Sequence, residues 1–182
     1  EINRAPAKVQ SALLEAMGER QVTVGRETYP LPELFLVMAT QNPLEQEGTY
    51  PLPEAQLDRF LMLALVDYPQ AEDELQILQL ARQETDQNFS KQHEGYSPLP
   101  KEVVFAARQE VLSIYIAPEL ERYLVELILA TREPQQYLPE LTSKLQVGAS
   151  PRGTIALDAC ARSRAWLQGR DFVSPDDVQE IY

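Results

Sequence analysis

Five apolar residues in a row, Phe35-Leu36-Val37-Met38-Ala39, run straight into Thr40-Gln41-Asn42-Pro43 and constrain this chain more than any other stretch. An apolar run without a polar break predicts a strand covered on both faces, as in a parallel sheet packed between helices. Ligands of such sheets bind in the crevice beyond the carboxyl ends of the strands. Thr40, Gln41 and Asn42 fall at that edge, so chemistry is sought there first.

The segments around this run are readable from periodicity. Val9, Leu13 and Met17 recur at helical spacing between Ala5 and Gly18, with Pro6 suited to a first turn and Gly18 to an end. Gln21–Val24 and Glu27–Leu31 flank Gly25-Arg26 and predict a hairpin. Residues 41–53 form a polar loop punctuated by proline, and Pro53 starts a short helix through Leu57. Phe60–Val66 reads as a second strand. Beyond Asp67-Tyr68-Pro69 the pattern turns helical, with stripes at Leu75/Leu78/Arg82, Val103/Ala107/Val111 and Leu120/Leu124/Leu127/Ile128. Further helices are expected over Thr154–Leu167 and from Pro175 onward. Asp86–Ser97 reads as an exposed loop, and Ser113–Ile116 as an extended linker packed on the helices.

Composition removes several functional classes. A formal charge of −12 opposes a general nucleic-acid or anionic-membrane surface, although placed arginines still suit a phosphate. One cysteine, Cys160, gives no internal disulfide and suits a reducing cytoplasm. No apolar run approaches the roughly 20 residues of a membrane span. The first residues, Glu1-Ile2-Asn3, enter directly into helix signals without a methionine, which reads as a piece of a longer polypeptide.

Four residues stand out chemically. Ser174-Pro175-Asp176-Asp177 is a helix start that obeys both capping and dipole preferences, whereas Ser150-Pro151-Arg152-Gly153 places a cation in the first turn. Arg152 is either an exposed side chain turned to water or, with the helix N-terminus, one side of an anion site. Arg59, in Leu57-Asp58-Arg59-Phe60, is either half of a local ion pair or an arginine offered to a neighbour's phosphate. Asn42 either caps a turn before Pro43 or positions a water or phosphate oxygen. Glu1 has no visible partner. His93 lacks neighbours at metal-ligand spacing, and no metal ligand is assigned. Cys160, Tyr123 and Trp166 fall on helical core positions, and no Gly-x-x-x-x-Gly-Lys-Ser/Thr occurs.

These stretches together resemble the MoxR family of AAA+ ATPases. The resemblance is carried by Glu1–Ala5, Gln10–Met17 and Ala39–Pro43, most specifically by Glu45–Phe60, and again by Gly148–Gly153. It implies a partial α/β P-loop-type core, with a few parallel strands and a β-hairpin insertion, over residues 1–66. An all-helical lid over residues 67–182 follows. Glu1 then resembles the Walker B glutamate that polarises water, Asn42 sensor 1, Arg59 the arginine finger reaching ATP on the next subunit, and Arg152 sensor 2. ATP and Mg²⁺ are the implied cofactors, while the Walker A loop and Walker B aspartate would precede Glu1. The chain alone is therefore expected to be inactive as an ATPase. The whole protein is expected to be a cytoplasmic hexamer remodelling clients such as von Willebrand factor A-domain proteins, with no nucleic-acid partner. Two other readings stay open: a non-catalytic helical adaptor, and a motor of the magnesium-chelatase or MCM kind.

Overall fold

The computed structural model describes residues 2–41, 52–85 and 97–182. The chain forms two compact units, one of residues 1–62 with 108–182 and one of residues 63–107.

In the first unit a 3-10 turn at Ile2–Arg4 leads into helix α1, Ala7–Glu19. Gly18 does not end this helix; it stops at Arg20, whose left-handed φ of 52° turns the chain into the hairpin. The expected apolar stripe is only half realised, because Val9 is exposed while Gln10 and Ala16 are buried. Gln10 tolerates burial because its amide Nε2 donates to the Ile2 carbonyl at 3.1 Å.

Strands β1, Gln21–Val24, and β2, Glu27–Pro30, pair antiparallel with Val24 opposite Glu27. Gly25 supplies the positive φ of 67° that a two-residue connection needs at its first central position. Glu15 of α1 ties the hairpin down: it accepts from Thr23 Oγ1 at 2.6 Å and from Gln21 Nε2 at 3.4 Å. Those bonds hold the Glu15 carboxyl below its ordinary pKa.

The parallel sheet expected from the apolar runs is not formed among the described residues, where the one sheet is this two-stranded hairpin. Residues 35–39 carry no strand ladder, and Leu36 and Met38 are 83% and 87% exposed. Val37 and Ala39 are half-buried between them, the period-two alternation of an extended chain covered on one side. Leu61–Val66 likewise stays outside any sheet and exposed. An apolar run specifies that a strand wants cover, but a ladder also needs a neighbouring strand, and no described segment lies alongside as one.

Helix α2, Glu54–Leu57, begins after Pro53 as expected. In the second unit α3 spans Ala71–Thr85, and the first turns of α4, Lys101–Ser113, belong there too. Helices α5, Pro118–Arg132, α6, Pro134–Tyr137, α7, Pro151–Leu167, and α8, Pro175–Ile181, complete the first unit.

The core of that unit lies among α5, α7, α8 and the linker before α5, with Ile114, Ile116, Leu120, Leu124, Leu157, Ala161, Ala165, Val173 and Val178 buried together. The α5 stripe is the one its spacing predicts. The linker does more than pack: Tyr115 N–H donates to Asp171 O and Val173 N–H to Tyr115 O, both at 2.9 Å, closing a short parallel bridge with Phe172. Arg162 braces it from α7 by donating to the Ile114 carbonyl. Tyr123 and Trp166 pack partly buried against this core, and Trp166 Nε1 donates to Glu110 at 2.8 Å. Cys160 is buried, and burial pushes its thiol pKa up, away from nucleophilic use.

Candidate functional site

Arg59 stands on a tight exit from α2. Its backbone N–H donates to Gln56 O, and Phe60 N–H donates to Leu57 O, so the chain turns immediately at the arginine. The side chain lies back along α1, with Nη1 donating to the Leu14 carbonyl at 3.3 Å. Gly18 makes the approach possible: a Cβ there would sit 2.5 Å from Nη1. A cation near the carboxyl end of a helix is favoured by the helix dipole. Glycine inside a helix costs about 1 kcal/mol relative to alanine, and here the space it leaves is used.

Arg152 is placed by a different set of bonds. Ser150 caps α7 by accepting from the Arg152 backbone N–H at 3.0 Å, and Pro151 occupies the first turn. The preceding loop is pinned to the end of α5. Ala149 N–H donates to Thr131 Oγ1 at 2.8 Å, and Arg132 Nε donates to Ala149 O at 2.6 Å. Gly148 passes so close to Arg132 that a Cβ would meet its Cα at 2.7 Å. Gly148 is therefore needed for close approach rather than for an unusual φ.

Arg152 contacts Asp58, the residue before Arg59 in the chain. Arg152 Nη1 lies 3.5 Å from Asp58 Oδ2, although the residues are 94 positions apart in the chain. The cation that sequence reasoning found misplaced at the start of α7 thus has a carboxylate from the turn after α2. The Arg152 side chain is 55% exposed and the Asp58 side chain 27%, so the pair sits at the surface with one guanidinium edge turned to solvent. In the sequence Asp58 reads only as a partner for Arg59. Thr131, Arg132 and Gly148 gave no chemical signal at all, since their role is backbone positioning.

Glu1 and Asn42 lie outside the described residues, as do His93 and most of the 41–53 loop. Their chain neighbours do meet: Ile2 N–H donates to the Thr40 carbonyl at 3.0 Å. Among the described residues no group of three or more His, Cys, Asp or Glu side chains forms a metal site.

The chain is similar to proteins of known family. The family model for the "ATPase family associated with various cellular activities (AAA)" matches residues 1–62, and the "AAA lid domain" model matches residues 141–182. The first holds Asp58 and Arg59, the second Arg152. Over all 182 residues the chain is 47% identical to Chaperone MoxR1 of Mycobacterium tuberculosis, covering 46% of that protein. It is 35% identical to Protein MoxR of Paracoccus denitrificans, covering 55% of it.

The chain belongs to the MoxR family of AAA+ proteins.

It spans about half the length of the curated relatives it matches. A crystal structure of a Cytophaga hutchinsonii protein, provisionally assigned as an ATPase, superposes with a TM-score of 0.87 at 46% identity. It is covered to 54% by the chain, which is itself matched in full. The AAA+ fold with a helical lid is thus shared, while the parallel sheet of the sequence expectation is not seen among the described residues. No described helix is long and apolar enough to cross a membrane.

Proposed function

We propose that this chain forms the phosphate-sensing side of a MoxR-type ATPase, presenting Arg59 and Arg152 to ATP at a subunit boundary. The observation that carries the reading is the Arg152–Asp58 contact, because it brings the lid arginine within one residue of Arg59. Two guanidinium groups, each a planar fork of donors, match the geometry of phosphate oxygens. Bound ATP supplies the phosphoryl group to be transferred, and Mg²⁺ bound with it offsets charge on its oxygens.

In this reading Arg59 reaches the phosphates held by the adjacent subunit, and Arg152 lies in the helical lid over the nucleotide. Glu1 polarises the attacking water and Asn42 stands between that water and the γ-phosphate; Asn42 and Arg152 also bind nucleotide. Phosphoryl transfer to water depends mainly on positioning and charge stabilisation, which such a set provides. An arginine supplied by a neighbour makes hydrolysis depend on assembly, consistent with a ring, which we take as a hexamer. Residues 1–66 then belong to the core and residues 67–182 to the lid. Remodelling of client proteins, von Willebrand factor A-domain proteins among them, in the cytoplasm completes the proposal.

The test is steady-state turnover of the full-length protein. Arg59→Ala is expected to lower kcat by about 10³-fold, the low end of what trans arginines contribute in small GTPases. Arg152→Ala is expected to raise KM for ATP. Unchanged kcat and KM in both variants would make Arg59 and Arg152 structural residues and overturn the reading.

A further inference from the structure

We propose that Asp58 is a positioning residue that competes with nucleotide phosphate for Arg152, so that phosphate binding and release of the Asp58 carboxylate are one exchange. This rests on the reading of Arg152 as a phosphate-binding arginine.

The geometry is that of a replaceable partner. A single Nη1–Oδ2 contact of 3.5 Å engages one corner of the guanidinium, and the side chain remains 55% exposed. An arginine has five N–H donors and Asp58 engages one of them, so the carboxylate is a weakly held partner. A phosphate carries more charge than a carboxylate and can accept two parallel bonds from the same fork. The position of Asp58 gives the exchange a consequence. It is the residue before Arg59, whose guanidinium is held to the Leu14 carbonyl of α1. Removing Arg152 from Asp58 therefore leaves the carboxylate of the residue before Arg59 without this partner. Buried, bidentate pairing would have made the contact a structural fixture. Its exposure makes it a contact of the strength that a ligand displaces.

The size of the effect follows from that strength. Exposed pairs of this type are closed for about 60–85% of the time. A ligand that needs the open arginine is weakened by the inverse of the open fraction. Removing the competing carboxylate is then expected to tighten nucleotide binding by about 2- to 6-fold.

The experiment measures, by calorimetry on the full-length protein, the Kd of an ATP analogue with a non-hydrolysable β–γ bridge. Wild type, Asp58→Asn, Asp58→Ser, Arg152→Ala and the Asp58→Asn/Arg152→Ala double variant are compared. The two neutral Asp58 variants are expected to bind more tightly by the stated factor. Asp58→Glu, which keeps the charge, is expected to stay near wild type. The double variant is expected to bind like Arg152→Ala alone, since the carboxylate has nothing left to occupy. If both neutral variants bind no tighter while Arg152→Ala weakens binding, the exchange is wrong and the phosphate role of Arg152 stands. If Arg152→Ala leaves Kd unchanged, the phosphate role itself fails and the exchange with it. A lowered thermal midpoint in Asp58→Asn with Kd unaltered would assign the contact to stability alone and overturn the proposal.

Discussion

Asp177 is a buried charge with several partners, and it shows how differently two helix starts are used. Fully buried at the third position of α8, it accepts from Arg170 Nη1 and Nη2 at 2.6 and 2.5 Å, and from Ser174 N and Oγ at 2.9 Å each. Arg164 adds a looser contact at 3.5 Å and reaches Glu180 with its other nitrogen. The Arg170 hydrogen bonds, outweighing the opposing effect of burial, hold the Asp177 carboxyl far below the ordinary carboxylate range. The folded state thus binds this proton less readily than the unfolded chain, whose reference value is 3.8. Its stabilisation is complete above that value and is lost as the pH falls from about 4 toward the depressed folded value. Acid unfolding of wild type is expected to steepen below pH 4, and Asp177→Asn to flatten that limb in circular-dichroism titrations. At neutral pH Asp177→Ala is expected to cost about 2–3 kcal/mol, because it opens the cap and strands two partly covered arginines.

At the scale of elements, the end of α5 and the start of α7 act as one piece. Thr131, Arg132 and Gly148 fix the loop that aims Arg152, so disturbing them should reach the site without touching it. Gly148→Ala forces a Cβ to within 2.7 Å of the Arg132 Cα and 2.9 Å of the Thr131 carbonyl. A cost of about 1–3 kcal/mol is expected in denaturant unfolding, since backbone must move rather than a flexible side chain. In the full-length protein this variant should also raise KM for ATP, whereas a core truncation should not. Leu124→Ala is the control: Leu124 is 2% exposed in the α5 stripe, and its loss should cost about 3 kcal/mol with KM unchanged in the folded fraction.

For the molecule as a whole, the question is what this length of chain does without the other half of its relatives' span. The 182 residues contain no Gly-x-x-x-x-Gly-Lys-Ser/Thr, the pattern whose backbone amides cradle phosphates. In the proposed function Arg59 and Arg152 would provide charge, but positioning a phosphoryl group for attack needs that cradle too. The chain alone is expected to release phosphate from ATP no faster than a buffer control in a coupled assay; a measurable turnover would refute the division of labour proposed above. With a net charge of −12, it is also expected to leave duplex DNA unshifted in a mobility assay at physiological salt.

Local chemistry was legible wherever the cause lies within a few residues. The Gly25 turn, the Ser150 and Ser174 helix starts, the α5 stripe and the packed 113–116 linker all follow from φ preferences, capping and spacing, which act over one or two turns. The Glu45–Phe60 string was specific enough to identify the family before any coordinate. Other features depend on residues far apart, and no local pattern encodes them. The run at 35–39 expressed a need for cover but could not name its neighbour, and among the described residues it has only a half-covered face. Arg152 looked misplaced at a helix N-terminus until tertiary packing put Asp58, 94 residues away, at its guanidinium. Charge preference is written in the sequence; which charge answers it is decided only when distant turns are brought together.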